Sequence, residues 1–248
     1  MVKISIITVV YNGVKYLEST IQSIAGQTSK DFEYLVIDGG STDGTLDIIK
    51  KYESKIDYWI TEPDKGLYDA MNKGLKRASG DFVWFINAGD KVYDAETVGK
   101  LIALAKKTEA DLLYGETLVI NEKGNPIGMR RQPAPENLTW TSLKLGMVVC
   151  HQSFIPARRI APLYDLNYSC SSDIDWVIKC LKKADNIVNS KLILSQFLDG
   201  GRSKKTIFPS IKERFRIMVT NYGFIITLLN HISIALRFFR FYFRHRRF

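Results

Sequence analysis

Apolar and polar positions come in blocks along the first 90 residues, in the order expected of alternating strands and helices. Lys3 to Val10 is a β-branched run of strand length, and Leu17, Ile21 and Ile24 then recur at helical spacing until Gly26 stops the pattern. Phe32 to Ile37 reads as the next strand, Thr45 to Tyr52 as a short helix and Tyr58 to Ile60 as a third strand. Leu67 to Ala78 reads as a helix closed by Ser79-Gly80, and Phe82 to Ile86 as a buried strand. Repeated strand-helix units predict an α/β chain with a mainly parallel, doubly wound sheet, in which ligands bind beyond the carboxyl ends of the strands. Further on, Asp94 to Lys107 is helical in pattern, Asp111 to Ile120 returns to strand, and Ser172 to Lys183 is a helix with Ile174, Val177, Ile178 and Leu181 on one side. Met129 to Ser142 is polar and proline-bearing, and Gly146 to Ile155 is apolar around His151-Gln152.

Three of the strand ends are polar: Thr8-Val9-Val10-Tyr11-Asn12, Asp38-Gly39-Gly40-Ser41-Thr42-Asp43-Gly44-Thr45 and Asn87-Ala88-Gly89-Asp90. One such loop is ordinary turn chemistry, because Gly, Asp, Asn and Ser suit turns and helix caps for backbone reasons alone. Three at successive strand ends point to a site. Asp38 is followed by two glycines that let a planar ring approach the backbone, and its carboxylate can accept a hydrogen bond from the N3–H of a uracil. Asp90 is placed to hold a divalent cation against a diphosphate, or else to cap the helix near Asp94. Asp43 reads as the cap of the helix at Thr45.

Composition changes this picture in two ways. The three cysteines, Cys150, Cys170 and Cys180, include no Cys-x-x-Cys pair, so neither a disulfide framework nor a zinc knuckle is indicated, and reduced thiols are expected. The start Met1-Val2-Lys3-Ile4 lacks the regions of a signal peptide, which predicts a cytoplasmic location. The net charge of +9 is concentrated: Gly201 to Phe248 holds eleven Lys and Arg against Glu213 alone, and the first 200 residues carry 24 basic and 25 acidic residues. A neutral body with a basic appendage argues against a nucleic-acid groove and for attachment to an anionic surface.

The strand-end motifs resemble those of the inverting family 2 glycosyltransferases of the GT-A fold. Val36 to Thr45 is similar to the family's first-lobe signature, Ser5 to Asn12 to its opening strand, Gly66-Leu67-Tyr68-Asp69-Ala70-Met71-Asn72-Lys73-Gly74 to its third motif, and Asn87 to Asp90 stands where its metal-binding acidic motif stands. The resemblance implies a Rossmann-like nucleotide lobe over 1–115, an acceptor lobe with the catalytic base over 116–205, and an amphipathic tail over 206–248. It implies that Thr8, Val10, Tyr11, Asn12, Asp38, Gly40 and Ser41 contact the nucleotide, with Asp64, Lys65 and Asn72 contributing, and that Asn87, Ala88 and Gly89 lead to Asp90 as the ligand of Mn²⁺ or Mg²⁺. Two departures stand out: the usual pair of acids in the first lobe is Asp38-Gly39 here, and the usual Asp-x-Asp keeps only Asp90.

Inverting transfer needs a general base for the acceptor hydroxyl. Ser171-Ser172-Asp173-Ile174-Asp175-Trp176 resembles the family's base site, with Asp173 in the matching place; Asp175 lies about 200° around a helix of about 3.6 residues per turn and faces elsewhere. Without the resemblance, Asp173 reads as a helix-start acid. His151 resembles a feature of the polysaccharide-building branch and is placed near the donor diphosphate or the acceptor; the plain alternative is a buried structural histidine. Asp199-Gly200-Gly201-Arg202-Ser203-Lys204-Lys205 reads either as a loop closing over the diphosphate, with Arg202 meeting its charge, or as a solvated connector.

From Phe224 to Phe243 the chain is strongly apolar but interrupted by Asn230, His231, Arg237 and Arg240, which suits a helix lying in a membrane interface better than one crossing it. Peripheral attachment to the cytoplasmic face of the inner membrane is expected, where a lipid-linked acceptor would be met; the competing reading has this helix pack on the body or pair with a second subunit as a homo-oligomer. The functional expectation is an inverting transferase moving a sugar from a nucleotide donor, a UDP-sugar first, to a lipid-linked or growing surface polysaccharide. A sugar nucleotidyltransferase and a membrane-associated nucleotide-sugar binding protein without turnover are the alternatives. The nucleotidyltransferase usually has a basic glycine-rich loop after its first strand, of which Tyr11-Asn12-Gly13-Val14-Lys15 is a poor version.

Overall fold

A computed structural model describes residues 2–200 and 207–232. Its first half is a parallel sheet built from β1 (Ile4–Val10), β2 (Phe32–Asp38), β3 (Tyr58–Thr61) and β4 (Phe82–Phe85), in the order β3-β2-β1-β4. Helices α1 (Leu17–Ala25), α2 (Thr45–Lys51) and α3 (Leu67–Arg77) connect these strands. Every residue of β1 is buried, which is why its sequence is a mainly β-branched, apolar run, with Ser5 and Thr8 also inside, and not an alternation of apolar and polar positions. Close packing of α3 on this strand depends on Gly74, where a Cβ would lie 2.5 Å from Ile7 Cγ2.

Register brings the functional ends together. Val10 pairs with Asp38 and Asp38 with Thr61, while Ile7 pairs with Phe85 and the Ala88 amide reaches the Val9 carbonyl. The three polar strand ends therefore share one edge of the sheet.

The second half is not a continuation of that sheet. A separate mixed sheet runs in the order β5-β9-β6-β7, from β5 (Lys91–Val92), β9 (Ile187–Leu198), β6 (Leu112–Ile120) and β7 (Pro126–Met129), with β8 (Phe154–Pro156) also pairing with β6. Only β6 and β9 are parallel within it. The expected lobe limit at 115 falls inside β6, and a bridge between Phe82 and Ala157 joins the sheets, so both halves share a single apolar core. Helix α4 (Thr97–Thr108) precedes β6 and α5 (Ser172–Lys183) precedes β9.

The basic segment begins with α6 (Ile207–Tyr222), which buries Ile217, Met218 and Tyr222. The Tyr222 ring stacks on Trp140 at 5.4 Å and its hydroxyl donates to the Trp140 carbonyl at 2.5 Å. After Gly223 the chain is helical again over 224–232. Among the described residues no helix is long and apolar enough to cross a membrane.

Candidate active site

The loop after β2 is organised by its own first residue. Asp38 is fully buried: Oδ2 accepts hydrogen bonds from the amides of Gly40 (3.2 Å) and Ser41 (3.0 Å) and from Thr61 Oγ1 (2.5 Å), and Oδ1 accepts from Ser41 Oγ (2.5 Å). The carboxylate expected to read the base thus ties the ends of β2 and β3 together. A different carboxylate occupies the open side. Asp64 Oδ1 accepts from the Gly66 amide (2.7 Å), and Asp64 Oδ2 lies so close over Gly39 that a Cβ there would collide with it and touch the Tyr11 ring. The absent side chain at position 39 is what lets Asp64 and the exposed Tyr11 converge.

Other expected donor contacts divide in the same way. Thr8 is buried, donating to the Ile86 carbonyl (2.7 Å) and accepting from the Tyr34 hydroxyl (3.0 Å), and Val10 belongs to the core. Asn12 and Ser41 lock the first two strand-end loops together, the Asn12 amide donating to Ser41 Oγ (2.7 Å) and Asn12 Oδ1 accepting from the Thr42 amide (2.9 Å). Asp43 caps α2 through the amide and hydroxyl of Thr45. Lys65 is exposed, with its amide on Asp69. Asn72 is buried and clamps the backbone of Tyr164 in both directions, at 3.0 and 2.7 Å, so it positions the 161–168 segment and does not face the donor cleft. Arg202 lies outside the described residues.

At the third strand end, Gly89 takes a φ of 104° and turns the chain so that Asp90 enters the interior. Asp90 Oδ2 accepts from Gln152 Nε2 (2.7 Å) and Oδ1 from the Leu198 amide (3.0 Å). Burial raises its pKa to about 7, against which the two hydrogen bonds pull weakly. The role of capping α4 falls to Asp94, which holds Glu96 and Thr97. Asn87 Oδ1 is buried without a hydrogen-bond partner. No group of three or more acidic, His or Cys side chains gathers among the described residues. What the turn offers a divalent cation is one buried carboxylate and one unpartnered amide oxygen, which fits an ion that takes its other ligands from phosphate and water.

Across the cleft, Asp173 is the second residue of α5, and Tyr68 from α3 donates its hydroxyl to Asp173 Oδ1 at 3.2 Å. Burial raises the Asp173 pKa, while the Ile174 amide, Arg214 and the Tyr68 hydroxyl act the other way. Asp175 is buried and paired with Lys179 at 2.6 Å. Behind Asp173 lies an aromatic wall in which Tyr164 stacks on Trp176 (4.9 Å) and Tyr68 on Tyr164 (5.5 Å). His151 is part of that wall, with Nε2 2.6 Å from the Tyr164 hydroxyl and burial lowering its pKa to about 4. It is neutral near pH 7, so it offers no charge to a diphosphate. Tyr68, Tyr164, Trp176 and Gln152 complete the site without having been given roles from sequence; Tyr68 and Trp176 stand inside the third and base-site motifs and Gln152 beside His151, while Tyr164 carried no signal.

An open cavity of about 510 Å³ lies at the opposite end of the strands, lined by Val2, Phe82, Arg158 and Arg159 among others. Arg158 Nε donates to the Gly80 carbonyl and Arg159 pairs with Asp111, and this cavity lies away from the polar strand ends.

Residues 5–161 match the profile described as Glycosyl transferase family 2. A PGL/p-HBAD biosynthesis glycosyltransferase of Mycobacterium tuberculosis is 33% identical over 187 residues, 71% of this chain and 68% of the relative. The putative teichuronic acid biosynthesis glycosyltransferase TuaG of Bacillus subtilis is 31% identical over 185 residues, 73% of this chain and 72% of the relative. Among solved structures, S. aureus TarS 1–349 in complex with UDP-GlcNAc aligns with a TM-score of 0.71 at 24% identity over 87% of this chain, which spans only 64% of that one. That likeness is one of fold, and it agrees with the expected α/β GT-A type. With the parallel sheet but for Ile4 and four of the five strands of the mixed sheet inside the matched profile, the chain belongs to glycosyl transferase family 2.

Proposed function

We propose that the chain is an inverting glycosyltransferase that moves a sugar from a nucleotide donor, a UDP-sugar first, to a lipid-linked or growing surface polysaccharide. The observation that carries this reading is Asp173, a carboxylate held at the start of α5 under the Tyr68 hydroxyl of α3, the helix of the third motif. Asp173 takes the proton of an acceptor hydroxyl as that oxygen attacks the anomeric carbon; the bond from that carbon to the diphosphate breaks on the opposite face, and the nucleoside diphosphate leaves with the bonding pair. A raised pKa strengthens Asp173 as a base, while the Ile174 amide, Arg214 and the Tyr68 hydroxyl favour its ionised form. Asp64 Oδ2 and the Tyr11 ring flank the slot over Gly39, which suits a flat base with an N–H to donate. Asp90 and Asn87 would hold Mn²⁺ or Mg²⁺, which neutralises the leaving diphosphate when bound. The similarity to a PGL/p-HBAD biosynthesis glycosyltransferase and to the putative teichuronic acid biosynthesis glycosyltransferase TuaG, and the UDP-GlcNAc in the TarS complex, support the donor and acceptor classes. Nothing in the site favours a nucleotidyltransferase or a binding protein without turnover.

Peripheral attachment to the cytoplasmic leaflet is part of the same proposal. Helix 224–232 is reversed in polarity: Thr227 is buried, while Phe224, Ile225, Leu228, Leu229 and Ile232 are exposed, Ile225 at 73%. Lys212, Arg214 and Arg216 are exposed on α6. Apolar side chains facing outward beside basic ones suit an anionic bilayer surface. Substituting Leu228 and Leu229 by Asn should abolish flotation with phosphatidylglycerol vesicles; full flotation would remove the bilayer from the account, and loss of a dimer instead would identify the face as a subunit contact.

The donor is tested by thermal denaturation with a panel of nucleotide sugars, with and without Mn²⁺. One UDP-sugar should stabilise the protein, and chelation should reverse the effect. The anomeric configuration of the product, read by NMR, should be opposite to that of the donor; retention would reject the mechanism.

A further inference from the structure

The basic segment contains a single acid, and that acid is tied to the segment leading into the base helix. Glu213, on α6, accepts four hydrogen bonds from the three residues that precede α5. Oε1 takes the Ser169 amide (2.8 Å) and hydroxyl (2.9 Å), and Oε2 takes the amides of Cys170 (2.8 Å) and Ser171 (2.9 Å). Backbone N–H groups withdrawn from water need acceptors, and in the segment leading into α5 a side chain of another helix supplies them. Ser171 makes no side-chain cap bond to its own helix; its hydroxyl pairs with Ser210 Oγ of α6 at 3.0 Å. The segment entering α5 is therefore braced from outside, by a helix belonging to the tail. Burial of Glu213 acts to raise its pKa, but the N–H and O–H groups of 169–171 lower it overall, so it is ionised at neutral pH. Asp173 follows two residues after the last clamped amide.

We infer that Glu213 is a positioning residue for transfer, fixing the backbone of 169–171 so that Asp173 is held under Tyr68 and toward the donor cleft. The inference rests on Asp173 being the base. It makes turnover depend on docking of α6, whose outer side carries the basic residues offered to the membrane, so one helix serves both attachment and alignment of the base.

The test uses the full chain with Glu213→Gln and Glu213→Asp. The first turns donors toward donors, and the second keeps the charge but shortens the reach. Anchoring of α6 by Ile217, Met218 and Tyr222 is untouched in both. Amide exchange at Ser169, Cys170 and Ser171 should accelerate tenfold or more, while Ile217 and Met218 stay protected; unchanged exchange at 169–171 would overturn the clamp. Nucleoside diphosphate release is then followed with whichever of UDP-glucose, UDP-galactose and UDP-N-acetylglucosamine stabilises the protein most, onto octyl glycosides. The expected result is a kcat at least tenfold lower with donor KM within twofold, and no further loss when Glu213→Gln is added to Asp173→Asn. Losses that add in that background, or that fall equally on KM, would mean a merely structural contact and overturn the inference. A full-rate Asp173→Asn protein removes the base reading and the inference with it; a collapsed Asp173→Asn beside a full-rate Glu213→Gln removes the inference alone.

Discussion

Replacing Asp90 by Asn should alter stability in opposite directions at the two ends of the pH range. Asp90 is buried, with its pKa raised from 3.8 to about 7, so folding disfavours its ionised form. For an acid with a raised folded-state value, the cost of folding appears once pH exceeds the unfolded value and is complete above the folded one. At pH 5 the unfolded carboxylate is already ionised and the folded one protonated, a cost of about 1.5 kcal/mol; by pH 8 the full shift applies, about 4 kcal/mol. Asparagine removes this penalty but cannot accept from both Gln152 Nε2 and the Leu198 amide, and a lost buried hydrogen bond costs about 1–3 kcal/mol. The variant should thus be no more stable than the wild type at pH 5 and more stable at pH 8. The gap should change by about 2.5 kcal/mol between those pH values, or about 5–10 °C in melting temperature for a chain of this size. Calorimetric melting of both proteins at pH 5, 6, 7 and 8 without metal measures it. Melting curves that stay parallel across this range would refute the burial argument. Adding Mn²⁺ at pH 8 should raise the wild-type melting temperature and leave the variant unmoved.

Two further outcomes follow from the geometry of the site. Gly39→Ala should drive Asp64 off its place over the slot and weaken UDP binding about tenfold, about 1.4 kcal/mol, read by titration calorimetry; unchanged affinity would exclude Asp64 from the base site. His151→Phe should leave UDP affinity intact, because the imidazole is neutral and faces Tyr164. It should also remove about 2 kcal/mol of the stability that the wild type loses between pH 7 and pH 5, since a histidine with its pKa lowered to about 4 stabilises the fold above its unfolded value and ceases to do so as pH falls.

The parallel half of the fold was legible because β1, most of β2 and β4 are buried and read as runs rich in β-branched and aromatic residues. Of the mixed sheet, β6 was legible and β9 was not. Strand β9 crosses Asn189-Ser190-Lys191, where Lys191 has a φ of 57° and the register with β6 shifts, so no period survives in its sequence. At the site, the motifs led to the right loops but not to the roles within them. Asp38 matches its motif well, yet the hydroxyls of Ser41 and Thr61 that occupy it come from the next turn and another strand. Asn72 and His151 stand in recognisable positions, and only their partners, the Tyr164 backbone and hydroxyl, reveal them as supports. Glu213 carried a signal of another kind, as the lone acid among eleven basic residues, but its meaning required seeing which amides it meets.

The most direct test of the account is Asp173→Asn, assayed for both donor binding and sugar transfer. The predicted result is transfer reduced by about 10²–10⁴-fold, the usual contribution of a positioned general base, with donor affinity within about twofold of wild type. Transfer within about threefold of wild type would contradict the assignment of Asp173 and the mechanism built on it.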